Sequence, residues 1–190
     1  MTDISNIDLV YHGLHKPTAK NFHPIIPNDL ATKCDGGLWA SPILEGETQS
    51  EWYKWCKQAH MGPAPHRWHI IPNEDCRVLM VREDLMNLRG YVRKGKLLAP
   101  YILDYAKIEK DYDALYVPDS VQRQYRRYDQ IFNGYDVESC LFFRPKYQAL
   151  TDDEYKKYRA EHQIQKDTSK NNSLTTEKIV LLTKSKDLNK

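Results

Sequence analysis

Residues 7–13 read IDLVYHG, and how that stretch is understood decides how the rest of the chain is read. Ile7, Leu9, Val10 and Tyr11 suit a pleated, half-buried strand, and Gly13 ends the run. His12 stands where such a strand takes an apolar side chain. A histidine there either packs in the core or opens a site, and taken alone the core reading is the commoner, since histidine is intermediate in burial. The glycine beside it shifts the balance toward a site. A residue without Cβ lets atoms of another molecule approach the backbone closely.

Working outward, residues 14–36 carry Pro17, Pro24 and Pro27 among polar residues and predict a long loop. The double glycine of CDGGLWASP introduces a second strand, Leu38–Ser41, closed by Pro42. In TQSEWYKWCKQAH, Trp52, Trp55, Cys56 and Ala59 recur at spacings of three and four, the period of an amphipathic helix. Thr48 and Glu51 have capping-box spacing at its start. RWHIIP and CRVLMV predict two strands separated by NED, as a hairpin or a neighbouring pair. A short helix over 83–92, a helix over 102–113 and a strand at ALYVP follow. Residues 119–136 read as a helix or irregular segment carrying Arg123, Arg126 and Arg127, and VESCLFFRP as a strand with Glu138 at its mouth. From residue 151 the chain turns polar, helical at first and then rich in Lys, Asn and Ser. The expected organisation is a domain over 1–150 and a polar tail over 151–190. Helices interposed irregularly among short strands give an α+β class with a largely antiparallel or mixed sheet.

Bulk properties narrow the function. A chain of 190 residues holds one domain of ordinary size plus a tail. With 28 Lys and Arg against 26 Asp and Glu, the net charge of +2 lacks the field of a dedicated nucleic-acid binder. The apolar runs IVLL and CLFF fall far short of the roughly 20 residues of a membrane helix, and MTDISNIDL has no signal-peptide pattern. Cysteines at 34, 56, 76 and 140 form no CxxC pair. Free thiols in a reducing compartment, the cytoplasm, are expected. The 13 tyrosines and 4 tryptophans suit a cleft for a flat ligand. Neither GxGxxG nor GxxxxGK[ST] occurs, so a nucleotide would need another cradle. Cys56, His60, His66 and His69 fit no standard four-ligand zinc spacing, and no metal is expected.

Taken in order, LVYHG, GGLWAS with the aromatic helix behind it, and VESCLFF resemble the ADP-ribosyltransferase superfamily over roughly residues 8–145. The likeness is to its His-Tyr-Glu branch, which includes the diphtheria-like toxins and the poly(ADP-ribose) polymerases. The resemblance implies a split β-sandwich of mixed, largely antiparallel sheets with peripheral helices. It also implies NAD as substrate, no metal, and transfer of ADP-ribose to a protein or nucleic-acid acceptor. For His12 it implies a hydrogen bond to the adenosine ribose, and for Gly13 backbone pairing with the nicotinamide amide. Trp39 takes the place of an aromatic wall usually built by tyrosine, with Ser41 just beyond it. Tyr53 matches the ring that stacks on nicotinamide, with Trp52 as the adjacent alternative, and Ser50 an amide contact. Glu138 matches the catalytic glutamate, whose carboxylate favours the positive charge developing at the anomeric carbon. Asp136, Arg126 and Arg127 fall in the segment that implies acceptor recognition. Two other readings stand beside it: an RNA 2′-phosphotransferase of the same fold, with only the Arg123–Arg127 cluster for the phosphate, and a catalytically silent module that binds nucleotide or protein.

Overall fold

IDLVYHG folds as the strand β1, Asp8–Gly13, in which Leu9 and Val10 are buried. The computed structural model describes residues 4–26, 33–95, 100–125, 131–132 and 134–162. The chain divides into two units, Met1–Leu150 and Thr151–Lys190. After β1 the first unit contains β2 (Leu38–Ile43), α1 (Glu51–Gln58), β3 (His66–Pro72), β4 (Val78–Met80), β5 (Val92–Lys94) and β6 (Tyr101–Leu103). It continues through α2 (Tyr105–Asp111), β7 (Ala114–Val117), α3 (Asp119–Tyr125), β8 (Ser139–Phe142) and β9 (Tyr147–Leu150). The class is α+β. Seven strands form one mixed sheet in the order β4-β7-β8-β2-β1-β3-β9, and β5 and β6 pair separately.

The period-two geometry of strands sorts the side chains into two cores. Leu79, Leu115 and Leu141 stand in register on one face and pack with Ile108 of α2 and Val121 of α3. Leu9, Leu38, Ala40, Ile70, Tyr116, Cys140 and Phe142 fill the other. ALYV and SCLF are buried at every position because β7 and β8 are covered on both faces, which is why they read as unbroken apolar runs.

The sheet is divided along β2. Leu38–Ala40 pair with β8, whereas Ser41–Ile43 pair with β1. Pro42 brings no N–H to a ladder, and pairing with β8 ends two residues before it. On the other side of the division, β1 pairs with β2 only as far as Val10, and its end, Tyr11–Gly13, pairs with β3 alone. The sheet therefore opens between the end of β1 and the start of β2. The two halves expected as a sandwich are joined through β2 into one sheet.

Several local expectations are corrected. RWHIIP and CRVLMV are not a hairpin: β4 lies at the opposite edge of the sheet from β3 and pairs in parallel with β7. The helix over 102–113 is shortened by β6, and the helix over 83–92 is a single 3-10 turn, Met86–Leu88. β9 and the β5-β6 hairpin have no counterpart in the sequence reading. In the second unit residues 152–162 are helical. Thr151 and Glu154 cap that helix reciprocally, with Glu154 Oε2 accepting from the Thr151 amide at 2.7 Å. Among the described residues no helix is long and apolar enough to cross a membrane.

Candidate functional site

A cleft of about 260 Å³ lies where the sheet opens, with Val10, His12, Trp39, Ser41, Trp52 and Ser139 in its walls. Alternation along β1, β2 and β8 accounts for this set, because Val10, His12, Trp39, Ser41 and Ser139 share one face. The first turn of α1 closes the cleft, and two serines hold that turn. Ser41 Oγ accepts from the Trp52 amide at 3.1 Å, and Ser50, the N-cap, accepts from the Tyr53 amide at 3.3 Å. Both donors would otherwise be orphaned at a helix start. The cap is therefore Ser50 and not Thr48.

His12 is drawn into the same junction. Its Nε2 lies 2.9 Å from Ser50 Oγ, and its ring centroid is 5.6 Å from that of Tyr53. Burial lowers the imidazole pKa, and the charge of Arg67, directly across on β3, lowers it further. A hydrogen bond with the Ala64 backbone acts the other way. The lowered pKa favours the neutral ring, and its Nε2 is suited to accept the Ser50 hydroxyl hydrogen bond, since that oxygen already accepts from Tyr53.

Trp39 is fixed by its indole N–H, which donates to the Gly36 carbonyl at 3.2 Å, and by an edge contact with Tyr135 at 5.3 Å. Lys33, which the sequence did not single out, also lines the cleft and sets its ammonium 4.3 Å above the Trp39 ring. A lysine in a polar loop reads by default as solvated. Its partners come from positions 39, 52 and 135, which no local pattern connects.

The remaining candidates sit around this cleft. Gly13 alternates to the opposite face and lines a separate cleft of about 410 Å³ with Tyr11, His15, His23 and Tyr147. Asp136 lines a third, of about 340 Å³, between α1 and α3, together with Glu51, Lys54, Asp119 and Arg123. Val137 is common to this cleft and the His12 cleft, so the two adjoin. Arg126 and Arg127 lie outside the described residues.

Glu138 follows Val137 but turns its carboxylate elsewhere. Oε1 accepts from the Tyr116 hydroxyl, and Oε2 accepts from the Asp119 amide at 3.1 Å. Tyr116 belongs to the core on the far side of the sheet from Trp39. Burial raises the Glu138 pKa; the Asp119 amide opposes the rise and the negative charge of Glu51 adds to it. The structure thus brings His12, Trp39, Ser41 and Trp52 together in one cleft, with Ser50 and Tyr53 joined to it through His12. It sets Glu138 beside them, bonded to Tyr116.

Of the histidines weighed as zinc ligands, His69 is buried and pairs with Asp8 at 2.8 Å. Among the described residues no group of three or more His, Cys, Asp or Glu side chains is placed to hold a metal ion. No protein-family model, curated protein or solved structure matches the chain.

Proposed function

We propose that the chain is an NAD-dependent mono-ADP-ribosyltransferase acting on a protein or nucleic-acid acceptor. The observation that carries this reading is the His12, Ser50 and Tyr53 junction, set at the opening of a divided sheet. Three residues drawn from a strand end and a helix start converge there, at the positions where the His-Tyr-Glu resemblance asks for a ribose contact, an amide contact and a stacking ring. The division of the sheet along β2 suits the split architecture of that superfamily.

In this reading the cleft holds the nicotinamide end of NAD against Trp39 and Trp52, with Tyr53 beside it at the His12 junction. The bond between nicotinamide and the anomeric carbon breaks, and its electron pair leaves with the ring, which becomes neutral. The acceptor nucleophile adds to the anomeric carbon and yields its proton to a neighbouring carboxylate. In this reading that carboxylate is Asp136, which lines the adjoining cleft. Glu138 stabilises the positive charge that develops on the sugar. Its Oε1 now accepts a hydrogen bond from the Tyr116 phenol, on the far side of the sheet from Trp39, and in this reading it must give up that bond to reach the ribose 2′-hydroxyl. The four cysteines are unpaired, which suits a reducing compartment, and cytoplasmic action is part of the proposal.

One observation favours a second reading, a module that binds the nucleotide and leaves it intact: the Glu138 carboxylate is already bonded at both oxygens. Incubation of the full chain and its Glu138→Gln variant with NAD labelled in the adenylate moiety, in the presence of cell lysate, separates the two. Nicotinamide release and transfer of label by the wild type, lost in the variant, is the result expected of a transferase. NAD that binds and stays intact overturns it in favour of the module.

A further inference from the structure

Three aromatic rings surround the Lys33 ammonium: Trp39 at 4.3 Å, and Trp52 and Tyr135 each at 6.0 Å from nitrogen to ring centroid. Each wall of this cage is held from outside it. Trp39 is pinned by its bond to Gly36, and the Trp52 ring by stacking on Trp55 at 5.0 Å. Tyr135 is fully buried, its hydroxyl 2.7 Å from that of Tyr105 and its ring edge-on to Phe132 at 5.6 Å. Rings fixed in this way keep their faces toward a cation whether or not Lys33 is present. Such cages bind cations through the negative faces of the rings, most strongly when the cation has shed its water.

The lysine gains little from water in this position. Burial lowers its pKa, with the negative charge of Asp136 opposing the fall. Lys33 belongs to no strand, so the ammonium can leave without disturbing a ladder. A flat cation entering the His12 cleft meets Trp39 and Trp52, which line it with Tyr135 packed behind Trp39, and two positive charges cannot share them. We propose that the Trp39, Trp52 and Tyr135 cage is a binding site for a flat organic cation of the N-alkylpyridinium class, with Lys33 as the resting occupant that the ligand displaces. The identity of the cation rests on the NAD reading, because the nicotinamide ring of NAD is a pyridinium and is the one positive group of that molecule. Lys33 is then a specificity element: it sets a threshold that only a cation able to replace it will pass.

The test uses the full chain and N-methylnicotinamide, a pyridinium without phosphate, so that any contact between Lys33 and the phosphates of a nucleotide does not enter. Binding is followed by quenching of tryptophan fluorescence. Lys33→Met keeps the apolar stem and removes the charge. The variant is expected to bind N-methylnicotinamide about tenfold more tightly than the wild type, while neutral nicotinamide changes by less than about twofold. Equal or weaker binding of the cation by a folded variant overturns the proposal. A second measurement needs no variant: acylation of Lys33 in the wild type, followed by mass spectrometry, is expected to speed up several-fold under saturating N-methylnicotinamide. An unchanged or slower rate overturns it. Neither readout requires NAD turnover. Cation exchange without NAD cleavage removes the transferase and leaves the cage, whereas NAD cleavage with no effect at Lys33 does the reverse.

Discussion

His12 and Ser50 are separated by 38 positions in sequence and share a hydrogen bond of 2.9 Å. The same Ser50 oxygen accepts from the Tyr53 amide. One hydroxyl therefore ties the end of β1 to the start of α1, and the position of Tyr53 relative to His12 depends on it.

Ser50→Ala removes both contacts. Loss of the N-cap is expected to cost about 1 kcal/mol, or about 2–4 °C in Tm for a domain of this size. Ser50→Thr keeps an accepting hydroxyl and is expected to recover most of it. Thermal unfolding followed by circular dichroism checks both. A Ser50→Ala protein as stable as the wild type would show that Ser41 alone holds the helix start.

Asp113 is the one buried carboxylate with several basic partners among the described residues. It is 1% exposed at the start of β7. Arg77 donates to it from its amide at 3.0 Å and its side chain at 3.3 Å, Arg144 donates at 3.0 Å, and the Lys146 ammonium lies at 3.6 Å. Burial alone would raise its pKa, but the Arg77 contacts and the Lys146 charge together bring it below the ordinary value. A depressed carboxylate stabilises the fold above its unfolded pKa, and the contribution is lost as pH falls through the folded pKa. Asp113→Asn is expected to cost about 2 kcal/mol at pH 7, less than a fully buried pair because the Arg77 and Arg144 side chains reach water. Urea unfolding is expected to show that gap narrowing below the ordinary carboxylate range.

Gly36 adopts φ +73°, and a Cβ there would stand 2.2 Å from the Pro24 carbonyl oxygen. Backbone cannot yield as a flexible side chain can. Gly36→Ala is expected to destabilise by more than about 1 kcal/mol. The Gly36 carbonyl also receives the Trp39 indole, so the near-ultraviolet tryptophan signal should change with it. A fully native spectrum at unchanged Tm would show that the contact between Pro24 and Gly36 relaxes at no cost.

Much of the fold was legible because its signals are local. β1, β2, α1, β7 and β8 each announce themselves within about ten residues by alternation, unbroken apolar runs or helical spacing. The β3 and β4 hairpin failed for the opposite reason: β4 finds its partner in β7, more than thirty residues later, and nothing in NED records that. The choice of Ser50 over Thr48 as cap is equally invisible, since both carry the hydroxyl that a cap needs. Gathering His12, Trp39, Ser41 and Trp52 in one cleft follows from strand order and helix phase. Gly13 separates from His12 by simple alternation, a consequence of reading both on one strand. Lys33 gave no signal, because its environment is built from three distant rings.

Glu138 offers a prediction in which stability and activity separate. Its folded pKa is raised, mainly by burial. The native state therefore holds this proton at pH values where the unfolded chain has released it. The favourable contribution is complete below the unfolded carboxylate pKa and is lost as pH rises through the folded value. At neutral pH the charge is a burden on the fold that the Asp119 amide and the Tyr116 hydroxyl only partly relieve. Glutamine can keep both contacts, its oxygen accepting from Asp119 and its amide donating to Tyr116. Glu138→Gln is expected to be as stable as the wild type at pH 4 and more stable at pH 7.5, with urea midpoints that diverge as pH rises. Nicotinamide release from NAD should disappear in the same protein. A variant that loses turnover while gaining neutral-pH stability is the behaviour expected of a carboxylate held in the fold at a cost because the reaction uses it. A variant less stable at every pH would instead make Glu138 a structural link between β7 and β8.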